Sequence, residues 1–87
     1  MSAATQVYYT AFDHAFFRLP PKIQARIQTK IDDMGSRLAG FSHYRLAGSD
    51  RFRLRVSDYR IIYAIDVEKN EVHLLSIGHR REIYRGT

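Results

Sequence analysis

Cysteine is absent from the 87-residue chain, which excludes disulfides and thiolate metal sites and fits a reducing compartment. No apolar run approaches the roughly 20 residues needed to span a bilayer. The opening MSAATQVYY lacks a basic segment leading into an apolar one, so neither a membrane span nor a secretory signal is expected. Repeats, linkers and low-complexity stretches are also missing, which leaves one domain over residues 1–87. The four histidines, His14, His43, His73 and His79, show no metal-ligand spacing. These absences predict a soluble, cytoplasmic, single-domain protein with no metal and no cofactor.

Arginine is what the chain has in quantity. Fourteen Lys and Arg stand against nine Asp and Glu, for a net charge of +5. Nine of the 14 cations lie in residues 45–87, and eight of those nine are arginine. The planar guanidinium fork grips phosphate in two places at once, whereas lysine acts as a point charge. A merely solvated surface would mix in more lysine, so the bias points to a polyanionic partner.

The apolar pattern orders the chain. Gln6–Thr10 is β-branched and aromatic and reads as a short strand. Phe12, Phe16 and Leu19 fall on one face of a short helix, which Pro20 and Pro21 stop. Pro21 also suits the first turn of a second helix. Along that helix Ile23, Ile27, Ile31, Met34 and Leu38 form an apolar stripe, and Gly35 and Gly40 mark its exit. Lys22, Arg26, Lys30 and Arg37 take the opposite side; they read as a solvated face, with peripheral phosphate contact as the alternative.

After Leu46-Ala47-Gly48 the period changes to two. Arg51-Phe52-Arg53-Leu54-Arg55-Val56 alternates cation with apolar residue, so a strand there separates three arginines from three core side chains. Tyr59–Val67 and Val72–His79 are two further strands. The predicted architecture is α+β: an N-terminal strand, a two-helix hairpin, then a three-stranded antiparallel meander, with the helices on one sheet face.

Loop parity predicts the register. A two-residue turn at Ser57-Asp58 sets Val56 against Tyr59, Arg55 against Arg60, Leu54 against Ile61, Arg53 against Ile62 and Phe52 against Tyr63. A four-residue loop over Glu68–Glu71 sets Val67 against Val72, Ile62 against Ile77 and Arg60 against His79. Arg53, Arg55, Arg60 and His79 then share one face. Arginines directly opposite each other are destabilising, and such local rule-breaking tends to mark function. The structural alternative is neutralisation by Asp50, Asp58 or Glu82. In the tail HRREIYRGT, Tyr84 is flanked by Arg80, Arg81 and Arg85, a setting for stacking on an RNA base; packing on the core is the alternative.

FRLRVSDYRIIYAID followed by LSIGHRREIYR resembles the C-terminal half of RelE-type toxins of bacterial and archaeal toxin–antitoxin systems. LPPKIQARIQTKID is similar to that family's helical hairpin, and Leu46-Ala47-Gly48 to its Leu-x-Gly loop. The resemblance implies a metal-independent endoribonuclease that cuts mRNA in the ribosomal A site, with a cognate antitoxin, the ribosome and mRNA as partners. It implies catalytic roles for Arg53, Arg55 and Arg60 at the phosphate and for Arg80 near the leaving group. Tyr84 would stack on the base, and His79 would replace a basic residue of some relatives. Arg51, Arg81 and Arg85 are the expected further RNA contacts. Some relatives carry lysines where this chain has Arg53 and Arg55, and arginine stays protonated, which turns attention to His79 as proton carrier. The rival on the same fold is the ParE type, which poisons DNA gyrase without cutting RNA. A plain binding module is the second rival.

Overall fold

Two adjacent prolines divide the helical part of the chain. In the computed structural model, which describes residues 3–79, Pro20 is extended (φ −57°, ψ 146°) and Pro21 opens a helix. There its missing N–H costs nothing and its fixed φ is already helical. Before the prolines run strand β1 (Thr5–Tyr8) and helix α1 (Thr10–Phe16). After them α2 spans Pro21–Ser36, so Gly35 stays inside the helix. A single 3₁₀ turn, Leu38–Gly40, follows. The remaining elements are β2 (Tyr44–Arg45), β3 (Phe52–Val56), β4 (Tyr59–Asp66) and β5 (Glu71–His79).

The α+β expectation holds, with two helices and a mixed five-stranded sheet in the order β1-β5-β4-β3-β2. Two additions escaped the sequence pattern. One is the two-residue strand β2, antiparallel to β3; the other is the parallel pairing of β1 with β5. The two helices supply Phe12, Phe16, Ile27, Ile31 and Met34 to the core, and the sheet supplies Leu54, Val56, Ile61, Tyr63, Val72, Leu74 and Ile77. Each buried aliphatic or aromatic side chain stabilises the fold by about 1.5–3 kcal/mol, and the arginines of β3 are left on the far side of the sheet.

The first hairpin has the expected register, from Val56 opposite Tyr59 to Phe52 opposite Tyr63. Ser57 takes φ 53° and Asp58 does not turn positive. A positive φ at the first central position alone is the pattern of a type II′ turn, whose twist suits a hairpin.

The second hairpin differs from the expected register. Its loop is Val67–Asn70, one residue earlier, with Asp66 opposite Glu71. Asp66 holds it by accepting the Lys69 N–H at 3.1 Å, and Asn70 takes φ 52°; after glycine, asparagine and aspartate tolerate such turn geometry best. A bulge then shifts the ladder: Tyr63 faces Leu74, but Ile62 faces Ser76. Beyond it Ile61 pairs with Ile77, Arg60 with Gly78 and Tyr59 with His79. A ladder without the bulge would set Ile77 against Arg60 and turn it away from the core. The bulge keeps Val72, Leu74 and Ile77 on one buried face.

Candidate functional site

Alternation along β3 sends Leu54 and Val56 inward, each 6% exposed, and leaves Arg53 and Arg55 exposed on the other face. Arg60 joins them from β4. In a hairpin with a two-residue loop the flanking pair, Val56 and Tyr59, carries the closing hydrogen bonds, so Arg55 and Arg60 form a non-hydrogen-bonded pair. Such pairs bring Cα atoms to about 4.5 Å and side chains closest together.

No carboxylate of the described residues quenches this face. Among the described residues the ion pairs are Arg37 with Asp33 and His73 with Glu71. Asp50 and Asp58, the candidates for neutralising the cluster, make none. The side-chain hydrogen bond of Arg60 goes to the Tyr59 carbonyl at 3.3 Å. Arg53, Arg55 and Arg60 also line a cavity of about 670 Å³, together with Lys30 of α2, Arg37 just past the end of α2 and Tyr44 of β2. Arg37 is held by Asp33 at 2.8 Å, and that guanidinium lowers the pKa of the Asp33 carboxyl. Lys30 makes no such pair, so its charge adds to that of the three arginines.

The register corrects the place of His79. It lies opposite Tyr59, not Arg60, and a shift of one residue moves a strand's side chains to the other face. His79 therefore sits on the helix side, its ring 5.8 Å from that of Tyr59, in a hollow shared with Ala15 of α1 and Leu19 of the turn that follows it. Arg51 lies in the loop before β3, where its carbonyl accepts the Leu46 N–H at 2.8 Å. The expected roles of Arg80, Arg81, Tyr84 and Arg85, and a neutralising role for Glu82, fall outside the described residues.

Sequence reasoning missed His43. Its Nε2 donates to the Leu38 carbonyl at 2.7 Å, and its Nδ1 accepts from the Tyr63 hydroxyl at 2.6 Å. Tyr63 is fully buried, and burial pushes its pKa above 10.0. The ring of His43 also packs near Phe41, Phe52 and Tyr63. This histidine ties the segment after α2 to the core just behind the arginine face. No spacing rule reveals it; a lone histidine in an aromatic-rich stretch is the only trace. Among the described residues no group of His, Asp and Glu is arranged to hold a metal ion, and no helix is long and apolar enough to cross a membrane.

The topology has counterparts among known proteins. A family described as the ParE toxin of type II toxin–antitoxin system, parDE, matches residues 4–84. The chain belongs to the RelE/ParE family of toxins. Solved structures of this toxin family agree on the fold. The toxin–antitoxin complex RelBE2 of Mycobacterium tuberculosis matches at 26% identity over 91% of this chain and 100% of that one, with a TM-score of 0.75. The archaeal RelE–RelB complex of Pyrococcus horikoshii matches at 21% identity over 93% and 99%, with a TM-score of 0.78. The isolated E. coli RelE toxin matches at 20% identity over 97% and 94%, with a TM-score of 0.76. No curated protein matches the chain.

Proposed function

We propose that this toxin is a ribosome-dependent endoribonuclease that cuts mRNA in the cytoplasm and is neutralised by a cognate antitoxin. One observation carries the reading: Arg53, Arg55 and Arg60 share a sheet face on which none of them is paired with a carboxylate. A 2′-hydroxyl attacks the adjacent phosphorus, the bond to the 5′-oxygen breaks, and a 2′,3′-cyclic phosphate and a 5′-hydroxyl result. The reaction places growing negative charge on the phosphate oxygens. Fixed cations aimed at such charge lower the barrier by about 3 kcal/mol each. Arg53, Arg55 and Arg60 fill that role, with Arg51 as a nearby contact. From the resemblance, Arg80 steadies the departing oxygen, Tyr84 stacks on the base, and Arg81 and Arg85 hold the flanking backbone. His79, on the other face of the sheet, is not the group that moves the proton.

The test is primer extension on ribosome-bound mRNA treated with the purified chain. Discrete cuts that vanish when the scissile nucleotide is 2′-deoxy support the proposal; cutting that survives the substitution defeats it.

A second reading is favoured by the matched family description, which is that of a ParE toxin. On that reading the chain stops DNA gyrase and leaves RNA intact. Pulse labelling after induction separates the two, since protein synthesis stops first for an mRNA nuclease and DNA synthesis first for a gyrase poison.

A further inference from the structure

Four large apolar side chains stand exposed among the described residues: Tyr9, Phe17, Tyr44 and Val67. Isolated exposure of this kind is ordinary, and three of the four have ordinary settings. The Tyr9 hydroxyl is hydrogen-bonded to His73 Nδ1 at 2.9 Å, Phe17 packs edge-on against Phe16, and Val67 sits in the second hairpin loop. Tyr44 differs. It is 62% exposed, and among the described residues its side chain makes no hydrogen bond, ring contact or cation–ring contact. Yet it lines the same cavity as Arg53, Arg55 and Arg60. Phe41, the other aromatic residue there, already has the Arg37 guanidinium over its face at 5.1 Å.

Its two neighbours fix where the ring goes, because successive side chains of extended backbone point to opposite faces. His43 turns inward and is held at both ring nitrogens, by the Leu38 carbonyl at 2.7 Å and the Tyr63 hydroxyl at 2.6 Å. Arg45 turns the same way, its guanidinium 5.3 Å from the centre of the Phe52 ring. Tyr44, between them, faces outward. It stands directly opposite Arg53, and side chains so paired share a face with Cβ atoms about 4.5–5.5 Å apart. A ring held on a strand anchored at both ends has little freedom left to lose when something lies on it.

We infer that Tyr44 is a stacking platform for an RNA base whose own phosphate lies on Arg53. A carboxylate side chain would satisfy the cations but offers no flat face to the ring. A nucleotide carries both, a phosphate and a π-face joined through one sugar, and strands about 4.8 Å apart present the two contacts side by side. Every base has a π-face, so the platform sets position and tolerates any sequence. A base drawn onto Tyr44 leaves the stack of its neighbours in the strand. The backbone is then stretched across Arg53 and Arg55, where orientation of the reacting groups counts most. This inference rests on the RNA reading above, and it adds a base contact to the one that the resemblance gives to Tyr84.

The experiment uses the full chain and a short oligouridylate carrying a single 2-aminopurine, whose fluorescence changes with stacking, placed at each position in turn. The parent and Tyr44→Phe should quench the probe on binding, and Tyr44→Leu should restore its fluorescence at one position. Tyr44→Leu should also weaken binding roughly 5- to 150-fold. It removes no charge, so the slope of log K against log salt should stay as in the parent, whereas Arg53→Ala lowers it. An abasic site at the quenched position should weaken binding by the parent to a similar extent, a comparison that needs no variant. On that abasic RNA, Tyr44→Leu should cost less than a further twofold, because ring and base form one contact. Equal losses on intact and abasic RNA overturn the inference. So does Tyr44→Phe behaving like Tyr44→Leu, which assigns the contact to the hydroxyl. A parent that binds no RNA defeats the RNA reading and this inference together. A parent that binds RNA, with quenching at every position unchanged by Tyr44→Leu, defeats the inference alone.

Discussion

Arg55 and Arg60 stand directly opposite each other across β3 and β4, and neither makes an ion pair. Two guanidinium groups so placed repel, and cross-strand effects of this kind amount to roughly 0.2–1 kcal/mol. In a domain of 87 residues, whose stability margin is thin, a retained repulsion points to use. Replacing Arg55 by alanine should leave the folding free energy within about 0.5 kcal/mol of the parent, or raise it. Cleavage of ribosome-bound mRNA should fall about 10²–10³-fold, the loss typical for one fixed charge-stabilising donor. Chemical denaturation and primer extension on the same preparation check both halves. A variant that unfolds, or that cleaves normally, contradicts the account.

Salt dependence provides an independent count of the cations that meet RNA. Each phosphate contact to a single strand contributes about 0.7 to the slope of log K against log salt. Alanine at Arg53, Arg55 or Arg60 should each lower that slope by about 0.7 on a short oligoribonucleotide. Alanine at Arg37, whose charge is already engaged by Asp33, should lower it by less. Filter binding over a range of salt concentrations measures this. Equal effects at Arg37 and Arg55 would show that overall charge, not the sheet face, governs binding.

The strictly alternating FRLRV segment was legible because its period of two coincides with burial, and both faces of β3 follow from it. The first hairpin was legible for a related reason, since a two-residue loop leaves a single register that aligns the apolar sides. The second hairpin was not. Val72, Leu74 and Ile77 are the buried residues of β5, and the step from two to three between them is the mark of a bulge. The run VHLLSIGH contains that phase break, but an apolar residue at Leu75 masks it. A one-residue error then carried His79 to the wrong face. Strand β2 carries no propensity signal of its own, being two exposed residues held by pairing to β3. Parallel pairing of β1 with β5 joins residues more than 60 apart in sequence, which no local pattern encodes.

The corrected register makes a prediction for His79. Lying on the helix side against Tyr59, it should matter little to RNA cleavage. His79→Ala should reduce the cleavage rate less than tenfold, far less than Arg60→Ala, and should leave the shape of the pH–rate profile unchanged. The rates are measured on ribosome-bound mRNA between pH 5.5 and 8.5. Loss of a limb of the profile in the variant would return His79 to the reaction as a proton carrier.

His43 should act on stability. It accepts the hydrogen bond of the buried Tyr63 hydroxyl, so His43→Phe leaves that hydroxyl without its partner. The expected cost is about 1–3 kcal/mol, read as a lower denaturant midpoint with an unchanged slope. No loss of stability would mean that the hydroxyl finds water once the imidazole is gone.

Tyr63 also sets an alkaline limit. Burial raises its pKa above the ordinary 10.0, so the folded chain keeps this proton where the unfolded chain has lost it. Stability from this group is complete below pH 10 and falls as pH climbs toward the folded value, by up to about 1.4 kcal/mol per pH unit. Burial raises the Tyr8 pKa as well, which adds a slope of the same sign. Tyr63→Phe removes the larger contribution. Its unfolding free energy should start lower at pH 8, through loss of the hydrogen bond to His43, and then decline less steeply than the parent's between pH 10 and 11. Denaturant titrations at half-unit steps of pH measure the two slopes. Parallel slopes would show that the Tyr63 hydroxyl ionises as freely in the folded chain as in the unfolded one, which is incompatible with its place in the core.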